Sequence, residues 1–127
     1  MVWAELQYDH EKGSPFGTKR PIDKVEFDSS LFNWYQKLIK IRNNNIELSL
    51  GEIDFIYFDN QNKTLVFKRF LGNSEIFVAI NNSNLNKTIL LEFKKQELSD
   101  IISGSKLTNK NNKIVVELKP YQIMILK

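Results

Sequence analysis

The sequence between residues 64 and 80 reads TLVFKRFLGNSEIFVAI. It contains two runs of β-branched and aromatic residues, which favour β-strands because such side chains pack well on a pleated surface. Gly72 and Asn73 lie between the two runs and are residue types that tight turns prefer. The stretch therefore predicts two antiparallel strands joined by a short turn.

Runs of the same kind lie on both sides of this stretch. They cover residues 53–58 upstream and residues 88–93, 113–118 and 122–126 downstream. The polar residues 59–62 connect the first run to the second, so the first three strands are expected to form an antiparallel meander. Strands with one apolar face bury that face against a second sheet. We therefore predict a mainly β fold, an antiparallel two-layer β-sandwich, from Ile53 to Leu126.

Alternation within the strands assigns one side of each strand to the core of the sandwich. The predicted core positions are Phe67, Phe77, Ile80, Leu90, Val115 and Ile123. Residues 97–102 are compatible with one helical turn, and they also fit a plain connection between strands. The sequence leaves both interpretations of this stretch open.

One helix is expected before the strands. Apolar residues recur at spacings of three and four between residues 31 and 41, which is the period of an α-helix. Residues 28–30 offer oxygen atoms for an N-cap, and asparagines 43–45 would end the helix in the left-handed conformation that asparagine tolerates. The apolar stripe is wider than one face, as is typical of a helix packed on two sides. We predict this helix from about Ser29 to Asn43, after a long loop over residues 1–27.

Several segments carry a resemblance to a known family. They are Met1-Val2-Trp3, SPFGTKRP (14–21), LFNWYQKLIKIRN (31–43) followed by Leu48 and Gly51, FVAINNS (77–83) and LKPYQIMIL (118–126). In this order and spacing they are similar to the C-terminal end of neopullulanase and cyclomaltodextrinase-type glycoside hydrolases of the α-amylase superfamily. Ile46 departs from the pattern, because the family usually has proline at that position.

The resemblance implies a division of the chain and a role for each part. Residues 1–47 would be the end of a catalytic (β/α)8 barrel, its loop plus its final helix, and residues 48–127 the C-terminal β-sandwich domain. The whole would be a non-catalytic part of an α-glucan-acting enzyme, and the β-domain would stabilise the barrel of the same parent chain. The sequence does not decide which linkage the parent acts on.

The resemblance also assigns candidate site residues. Loops after barrel strands face the active site, so Tyr8 and His10 would lie at the rim of the substrate cleft in the parent, where α-glucan binds. Phe32, Trp34 and Ile41 would form the interface with the barrel. In the isolated chain, that exposed patch would support a homodimer.

Catalytic chemistry is expected outside this chain. The chain has 127 residues, whereas a barrel needs about 250. Retaining glycosidases place two carboxylates about 5 Å apart, and none of the family's catalytic motifs occurs here, so no catalytic residue is predicted. Asp9-His10-Glu11 is the one cluster with metal-ligand side chains, but three consecutive residues do not converge on one ion from a regular backbone. We expect neither a metal nor a cofactor.

Composition limits the other classes of function. The 18 basic and 15 acidic residues give a net charge of +3, but the basic residues are scattered among the acids, so we expect no nucleic-acid partner. No apolar run reaches the length of a membrane span, so no membrane partner is expected. The chain has no cysteine, which leaves the compartment undecided, and an export signal of a secreted or periplasmic parent would lie upstream of Met1.

Two alternative functions remain open at this point. A carbohydrate-binding module for starch-like glucans would use exposed aromatic side chains, with Tyr57 and Tyr121 as the candidate platforms. A basic β-barrel that binds nucleic acid is the other alternative, and salt-dependent binding to oligonucleotides would identify it.

Overall fold

The computed structural model of the chain describes residues 16–17, 26–94 and 96–127. The chain divides into two compact units, residues 1–40 and residues 41–127. Most of the predicted loop over residues 1–27, including Tyr8, His10 and the Asp9-His10-Glu11 cluster, lies outside the described residues. Within the described part, no helix has the length and apolar character needed to cross a membrane.

The predicted helix is confirmed as α1, Ser29–Asn44. Its N-cap is Asp28, whose Oδ1 accepts hydrogen bonds from the backbone N–H of Leu31 at 3.0 Å and the hydroxyl of Ser30 at 2.6 Å. Phe27 packs against Phe32 with 5.5 Å between ring centroids, which is the hydrophobic contact expected across a capped helix start. The mechanism predicted for the helix end is wrong, because Asn45 is extended, with a φ of −131°, and not left-handed.

One short helix and eight strands follow α1. They are α2 (Ile46–Leu50), β1 (Glu52–Asp59), β2 (Thr64–Leu71), β3 (Ser74–Asn81), β4 (Lys87–Glu92), β5 (Glu97–Ser99), β6 (Lys106–Thr108), β7 (Lys113–Leu118) and β8 (Ile123–Leu126). The sequence did not predict α2, because five residues are too few to display a period. Residues 97–99 form a strand, so the helical turn considered for this stretch is wrong.

The strands form two layers, and the predicted antiparallel sandwich is confirmed. One layer is a four-stranded sheet in the order β1-β2-β3-β8, which contains the predicted meander of the first three strands. The other layer contains the antiparallel pair β4 with β7, and β5 pairs with β6 in a third, two-stranded sheet, where Asp100 directly after β5 forms a bridge with Leu126 of β8. The hydrophobic core lies between the layers, where Val66, Phe77 and Met124 meet Ile89 and Val116.

In the four-stranded sheet, only some of the predicted core positions are correct. Phe77 is buried, while Phe67 and Ile80 are half-buried. Leu90, Val115 and Ile123 are exposed, so their assignment to the core is wrong. Their sequence neighbours face the core in their place, because β4, β7 and β8 each contain consecutive apolar residues whose alternation has no fixed phase.

Gly51 lies where α2 passes into β1. Its backbone N–H donates to the carbonyl of Glu47 at 3.0 Å. A Cβ atom at this position would lie 2.8 Å from the carbonyl oxygen of Phe70 in β2 and would also collide with the backbone of α2. Close approach of three backbone segments therefore requires glycine at this position.

Candidate functional site

The described carboxylates with the richest hydrogen bonding hold the fold together. Asp59 accepts from the backbone N–H of Asn62 at 2.9 Å and from its side-chain amide at 2.7 Å, and these bonds lower the pKa of Asp59. Asp100 is buried and accepts from the backbone N–H groups of Ile125 at 3.0 Å and Ser103 at 3.1 Å. Both side chains fix turns, and neither is arranged for proton transfer to a substrate.

A buried polar cluster attaches α2 to the sheet. We define the Glu47 cluster as Asn45, Glu47, Ser74 and Lys127. Glu47 is only 2% exposed, and its Oε1 accepts from the Ser74 hydroxyl and from Lys127 Nζ, the latter at 3.1 Å. The bond from Ser74 is the main cause that lowers the pKa of Glu47, with backbone hydrogen bonding and Lys127 adding to it. The cluster therefore keeps a carboxylate ionised inside the fold.

The Glu47 cluster gives no sign of catalytic use. Lys127 Nζ also donates to Asn45 Oδ1 at 3.0 Å, and the Asn45 amide donates to the carbonyl of Ile41 at 2.8 Å. These bonds join the end of α1, α2, the start of β3 and the residue after β8. Within the described residues, no group of three His, Cys, Asp or Glu side chains is placed to hold a metal ion. Sequence reasoning missed this cluster because its members are far apart in the chain.

The four-stranded sheet has an apolar side that faces away from the core. The strand register places Phe55 opposite Phe67, and Phe58 opposite Leu65, whereas Tyr57 and Val66 point to the core side. We define the outer apolar face by the residues that share this side of the sheet. They are Ile53, Phe55, Phe58, Leu65, Phe67, Ile80 and Ile123, and the same register also places Arg69 and the buried Ile76, Val78 and Ile125 on this side.

The β1 part of the outer apolar face is open to solvent, whereas Ile76, Val78 and Ile125 on the same side of the sheet are buried. Phe55 is 62% exposed and Phe58 67% exposed, and the Phe55 ring lies 6.1 Å from that of Phe67. Strand β1 forms one edge of the sheet, where it pairs with β2 alone. Its acidic residues Glu52, Asp54 and Asp59 are charges of the kind that protect such an edge from further strand pairing. The face thus has the properties of an interaction surface.

A β-bulge shapes this edge. The register of β1 against β2 shifts between Phe55 and Tyr57, so Ile56 is an extra residue without a partner in β2. Because Ile56 is one inserted residue, the alternation of side chains along β1 shifts by one position there. Phe58 therefore points to the same side of the sheet as Phe55. Two exposed phenylalanines therefore lie on one surface.

The predicted barrel interface is distributed over α1 in three different environments. Trp34 is 39% exposed, and Phe32 is half-buried in contact with Phe27. Ile41 is 8% exposed, so its side chain packs within this chain. The outer apolar face was not predicted from the sequence as a surface; Phe67, Ile80 and Ile123 were predicted as core positions instead.

The two candidate sugar platforms differ in exposure. Tyr57 packs against the hydrophobic core, and its hydroxyl lies 3.4 Å from Asp59 Oδ2. Tyr121 is 68% exposed and adopts a positive φ of 55° in the turn before β8. The ring of Tyr57 thus contacts protein side chains. Of these two tyrosines, only Tyr121 has a ring that is exposed to solvent.

Comparison with known proteins finds similarity along most of the chain. Residues 53–125 match the family described as the C-terminal domain of maltogenic amylase. Neopullulanase 2 of Thermoactinomyces vulgaris is 27% identical over 113 residues, which are 85% of this chain and 19% of that enzyme. Cyclomaltodextrinase of Thermoanaerobacter pseudethanolicus is 33% identical over 100 residues, which are 79% of this chain and 17% of that enzyme. The chain thus spans about a fifth of the length of these curated relatives.

Solved structures show the same fold. An α-amylase from Geobacillus thermoleovorans, solved with acarbose, superposes with a TM-score of 0.75 at 16% identity. The superposition covers 90% of this chain and 26% of that enzyme. At this level of identity the likeness concerns the fold alone.

Proposed function

Since the chain belongs to the family of maltogenic amylase C-terminal domains, we propose that it is a non-catalytic part of an α-glucan-acting glycoside hydrolase. Its β-sandwich stabilises the (β/α)8 barrel of the same parent chain. Residues 1–47 form the end of that barrel in this proposal, and residues 48–127 form the C-terminal domain. The parent carries the catalytic carboxylates, the glucan-binding cleft and, at the rim of that cleft, Tyr8 and His10.

The observation that carries this proposal is the exposed β1 part of the outer apolar face, with Ile53, Phe55 and Phe58. Exposed apolar side chains grouped in this way mark an interaction surface. The relatives are about five times longer than this chain, so in them most of the protein lies outside the part that the chain matches. A domain of the same parent chain is therefore available to cover the face, and we assign the face to the barrel.

The energy available from covering this face is large compared with protein stability. Phe55 and Phe58 expose about two thirds of their surface, which for rings of this size is about 250 Å² in total. Burial at about 25 cal/mol per Å² gives an upper limit of ~6 kcal/mol. Whole domains are stable by about 5–15 kcal/mol, so losing this contact would be measurable.

A pair of variants tests the proposal. We expect the double substitution Phe55→Ser and Phe58→Ser to leave the stability of the isolated chain nearly unchanged at a protein concentration where the chain is monomeric, because both rings are exposed in the monomer. In the full parent enzyme the same substitutions should lower the unfolding temperature by several degrees, since they remove contacts with the barrel. Differential scanning calorimetry of both proteins measures the two effects.

The chain offers a matched control for this experiment. Leu90 and Val115 face each other on β4 and β7 and are 54% and 47% exposed, on the layer that the proposal leaves free of the barrel. Leu90→Ser with Val115→Ser should have equal, small effects in the isolated chain and in the parent. Equal effects of the phenylalanine pair in both proteins would contradict the assignment of the outer apolar face to the barrel.

In the isolated chain the same face is free to pair with a second copy. We propose that this face supports a homodimer, and that the exposed side of α1 around Trp34 is a separate candidate for the same role. Sedimentation velocity at rising protein concentration should show the dimer, and the double phenylalanine variant should return the chain to a monomer. A wild-type chain that stays monomeric at high concentration would exclude this part of the proposal.

The carbohydrate-binding alternative predicts a different result. A module of that kind needs open aromatic platforms, and Tyr57 is packed against the core. We expect the chain neither to release reducing ends from starch, pullulan or cyclomaltodextrins nor to bind maltooligosaccharides tightly. Isothermal titration calorimetry that showed clear micromolar binding would favour the module over the barrel-stabilising domain.

A further inference from the structure

A pocket lies where the edges of two different sheets approach each other. Strand β1 is an edge of the four-stranded sheet, and β4 is an edge of the sheet that it forms with β7. The pocket has a volume of about 330 Å³ and is lined by residues of both strands, together with Phe77 and Phe93. It leads from the surface to the hydrophobic core, to which both of these phenylalanines belong.

The walls of the pocket are aromatic and aliphatic. Phe77 and Phe93 are 5% and 9% exposed and form an edge-to-face pair, with 4.9 Å between ring centroids. Tyr57 and the buried Leu91 complete the apolar walls. Aromatic rings attract one another in edge-to-face and offset arrangements. The walls therefore favour a further aromatic ring over a charged or strongly polar group.

Free backbone groups lie along the β4 edge of the pocket. The N–H of Phe93 donates to the carbonyl of Asn112 at 2.9 Å, which fixes the phase of the ladder between β4 and β7. Bonded pairs alternate along such a ladder, so Leu91 points its N–H and C=O to β7, and Leu90 and Glu92 point theirs to the free edge. The side chains of Leu90 and Glu92 lie on the face of β4 opposite to that of Leu91. These two residues thus offer the pocket both hydrogen-bond donors and acceptors.

The bulge in β1 connects the pocket to the outer apolar face. Ile56 has no partner in β2, lines the pocket and is 46% exposed. Bulges commonly redirect a side chain in this way. The neighbouring Phe55 and Phe58 are the exposed rings that we have assigned to the barrel. The pocket therefore borders that interface directly.

The size of the pocket fits one aromatic side chain. An apolar cavity of about 150 Å³ is enough to bind benzene, so a pocket of about 330 Å³ has room for a ring with one polar group. Protein interfaces concentrate their binding energy in tryptophan, tyrosine and arginine side chains that fill pockets. Arginine would leave most of its donors unpaired between apolar walls, at a high cost. Tyrosine and tryptophan have one donor each, which the backbone carbonyls of β4 can accept.

We propose that the pocket between β1 and β4 receives one tyrosine or tryptophan side chain from the barrel of the same parent chain. This inference rests on the proposed function, because it names a contact within the interface assigned there. The ring lies against Phe77, Leu91 and Phe93, and its O–H or N–H donates to a free carbonyl of β4. The side chain anchors the contact, which the exposed phenylalanines of β1 surround.

A titration of the full chain tests whether the pocket takes such a ring. The probes are p-cresol and 3-methylindole, which are the side chains of tyrosine and tryptophan without their backbone. We expect saturable binding of one probe molecule in the millimolar range, measured by nuclear magnetic resonance. The largest amide shift changes should occur at Leu90 and Glu92, and nuclear Overhauser contacts should join the probe ring to Leu91 and Phe93.

A pair of variants on one strand locates the site. Ile56→Trp places a large ring at the mouth of the pocket and should weaken probe binding at least tenfold. Ile53→Trp is the matched control, since Ile53 is 51% exposed on the same strand and does not line the pocket. It should leave the affinity for both probes within a factor of two. Both positions are exposed, so both variants should fold.

The same blocking variant tests the occupant in the parent enzyme. Ile56→Trp should lower the unfolding temperature of the parent by several degrees, because its ring displaces the barrel side chain, and should leave that of the isolated chain unchanged or higher. Val115→Trp lies outside the pocket, at a side chain that is 47% exposed, and should act equally on both proteins. Differential scanning calorimetry measures these effects.

Three results would overturn the inference. Absence of saturable binding by both probes up to their solubility limits would mean that the pocket takes no ring. Unchanged probe binding by Ile56→Trp would place the site elsewhere. Equal effects of Ile56→Trp on the parent and on the isolated chain would mean that the barrel does not fill the pocket. If Phe55→Ser with Phe58→Ser still destabilised the parent selectively, the proposed function would stand and this inference alone would fail.

Discussion

Asn81 at the end of β3 offers a strong test of how the sandwich is closed. Its side chain is 1% exposed, and its Nδ2 donates to the carbonyls of Leu85 at 2.7 Å and Lys119 at 2.8 Å. Its Oδ1 accepts from the backbone N–H of Ser83 at 3.0 Å and from the Ser83 hydroxyl at 2.7 Å. One side chain therefore joins the end of β3 to the turn that leads into β8. We predict that Asn81→Ala strongly destabilises the domain.

The expected size of the effect follows from these bonds. A hydrogen bond contributes about 1 kcal/mol net, and a buried group left without a partner costs about 1–3 kcal/mol. Leu85 is 60% exposed, so water replaces the lost donor at its carbonyl. The carbonyl of Lys119 and the backbone N–H of Ser83 also lose their partner. We therefore expect a loss of about 3 kcal/mol for Asn81→Ala, a large part of a typical domain stability of about 5–15 kcal/mol.

Urea unfolding of the full chain, followed by far-ultraviolet circular dichroism, measures this loss. Asn82 is exposed and its backbone alone bonds to Lys63, so Asn82→Ala is the control and should change stability by less than about 0.5 kcal/mol. Asn81→Asp keeps the acceptor for Ser83 and loses the donor to two carbonyls, so it should lie at or below the alanine variant near neutral pH. If Asn81→Ala lay within about 0.5 kcal/mol of the wild type, the loops would close without this side chain, and the reasoning would be refuted.

Three further substitutions test other parts of the fold. Gly51→Ala should cost about 1–3 kcal/mol in urea unfolding, because the added Cβ would meet the carbonyl of Phe70; an unchanged midpoint would disprove the tight approach. Ile114→Ala should cost about 2–5 kcal/mol while Val115→Ala costs under about 1 kcal/mol, since the first side chain is buried and the second 47% exposed; equal costs would disprove the strand phase. The lowered pKa of Glu47 means that its stabilisation is present above its unfolded pKa and is lost as pH falls through the folded value. Glu47→Gln should therefore lower stability at neutral pH and flatten the decline on acidification, as measured by urea unfolding across the acid range, and an unchanged slope would count against an ionised Glu47.

Strand identity and pairing could be predicted from the sequence because the turn residues are explicit. Gly72 with Asn73 separates β2 from β3, and the polar residues 59–62 separate β1 from β2. The helix start at Asp28 was equally clear, since the cap and the apolar period agree. These features depend on local chemistry alone.

The strand phase in the second layer could not be predicted in the same way. In β4 and β7 three apolar residues are consecutive, so either neighbour of Leu90 or Val115 fits the core equally well by pattern. The packing of the whole domain decides which of these neighbouring residues face the core. The Glu47 cluster was hidden for a related reason, because Ser74 and Lys127, which donate to Oε1 of its buried carboxylate, are distant from Glu47 in sequence.

The candidate interaction surfaces depend on what the strands leave unpaired. The sequence shows that Phe55 and Phe58 are strand residues, but the bulge at Ile56 decides that both point away from the core. The pairing between β6 and β7 likewise stops after Lys110 and Lys113, and no residue pattern indicates where a ladder stops.

The most direct test of the account is the unfolding temperature of the parent enzyme with and without residues 48–127. We predict that the shortened enzyme unfolds at a markedly lower temperature, because the barrel loses the contact with the outer apolar face. Its turnover of α-glucan per folded molecule, measured well below that temperature, should stay close to that of the full enzyme. An unchanged unfolding temperature, or turnover that disappears while the shortened enzyme is still fully folded, would contradict the proposal that this domain stabilises the barrel without taking part in catalysis.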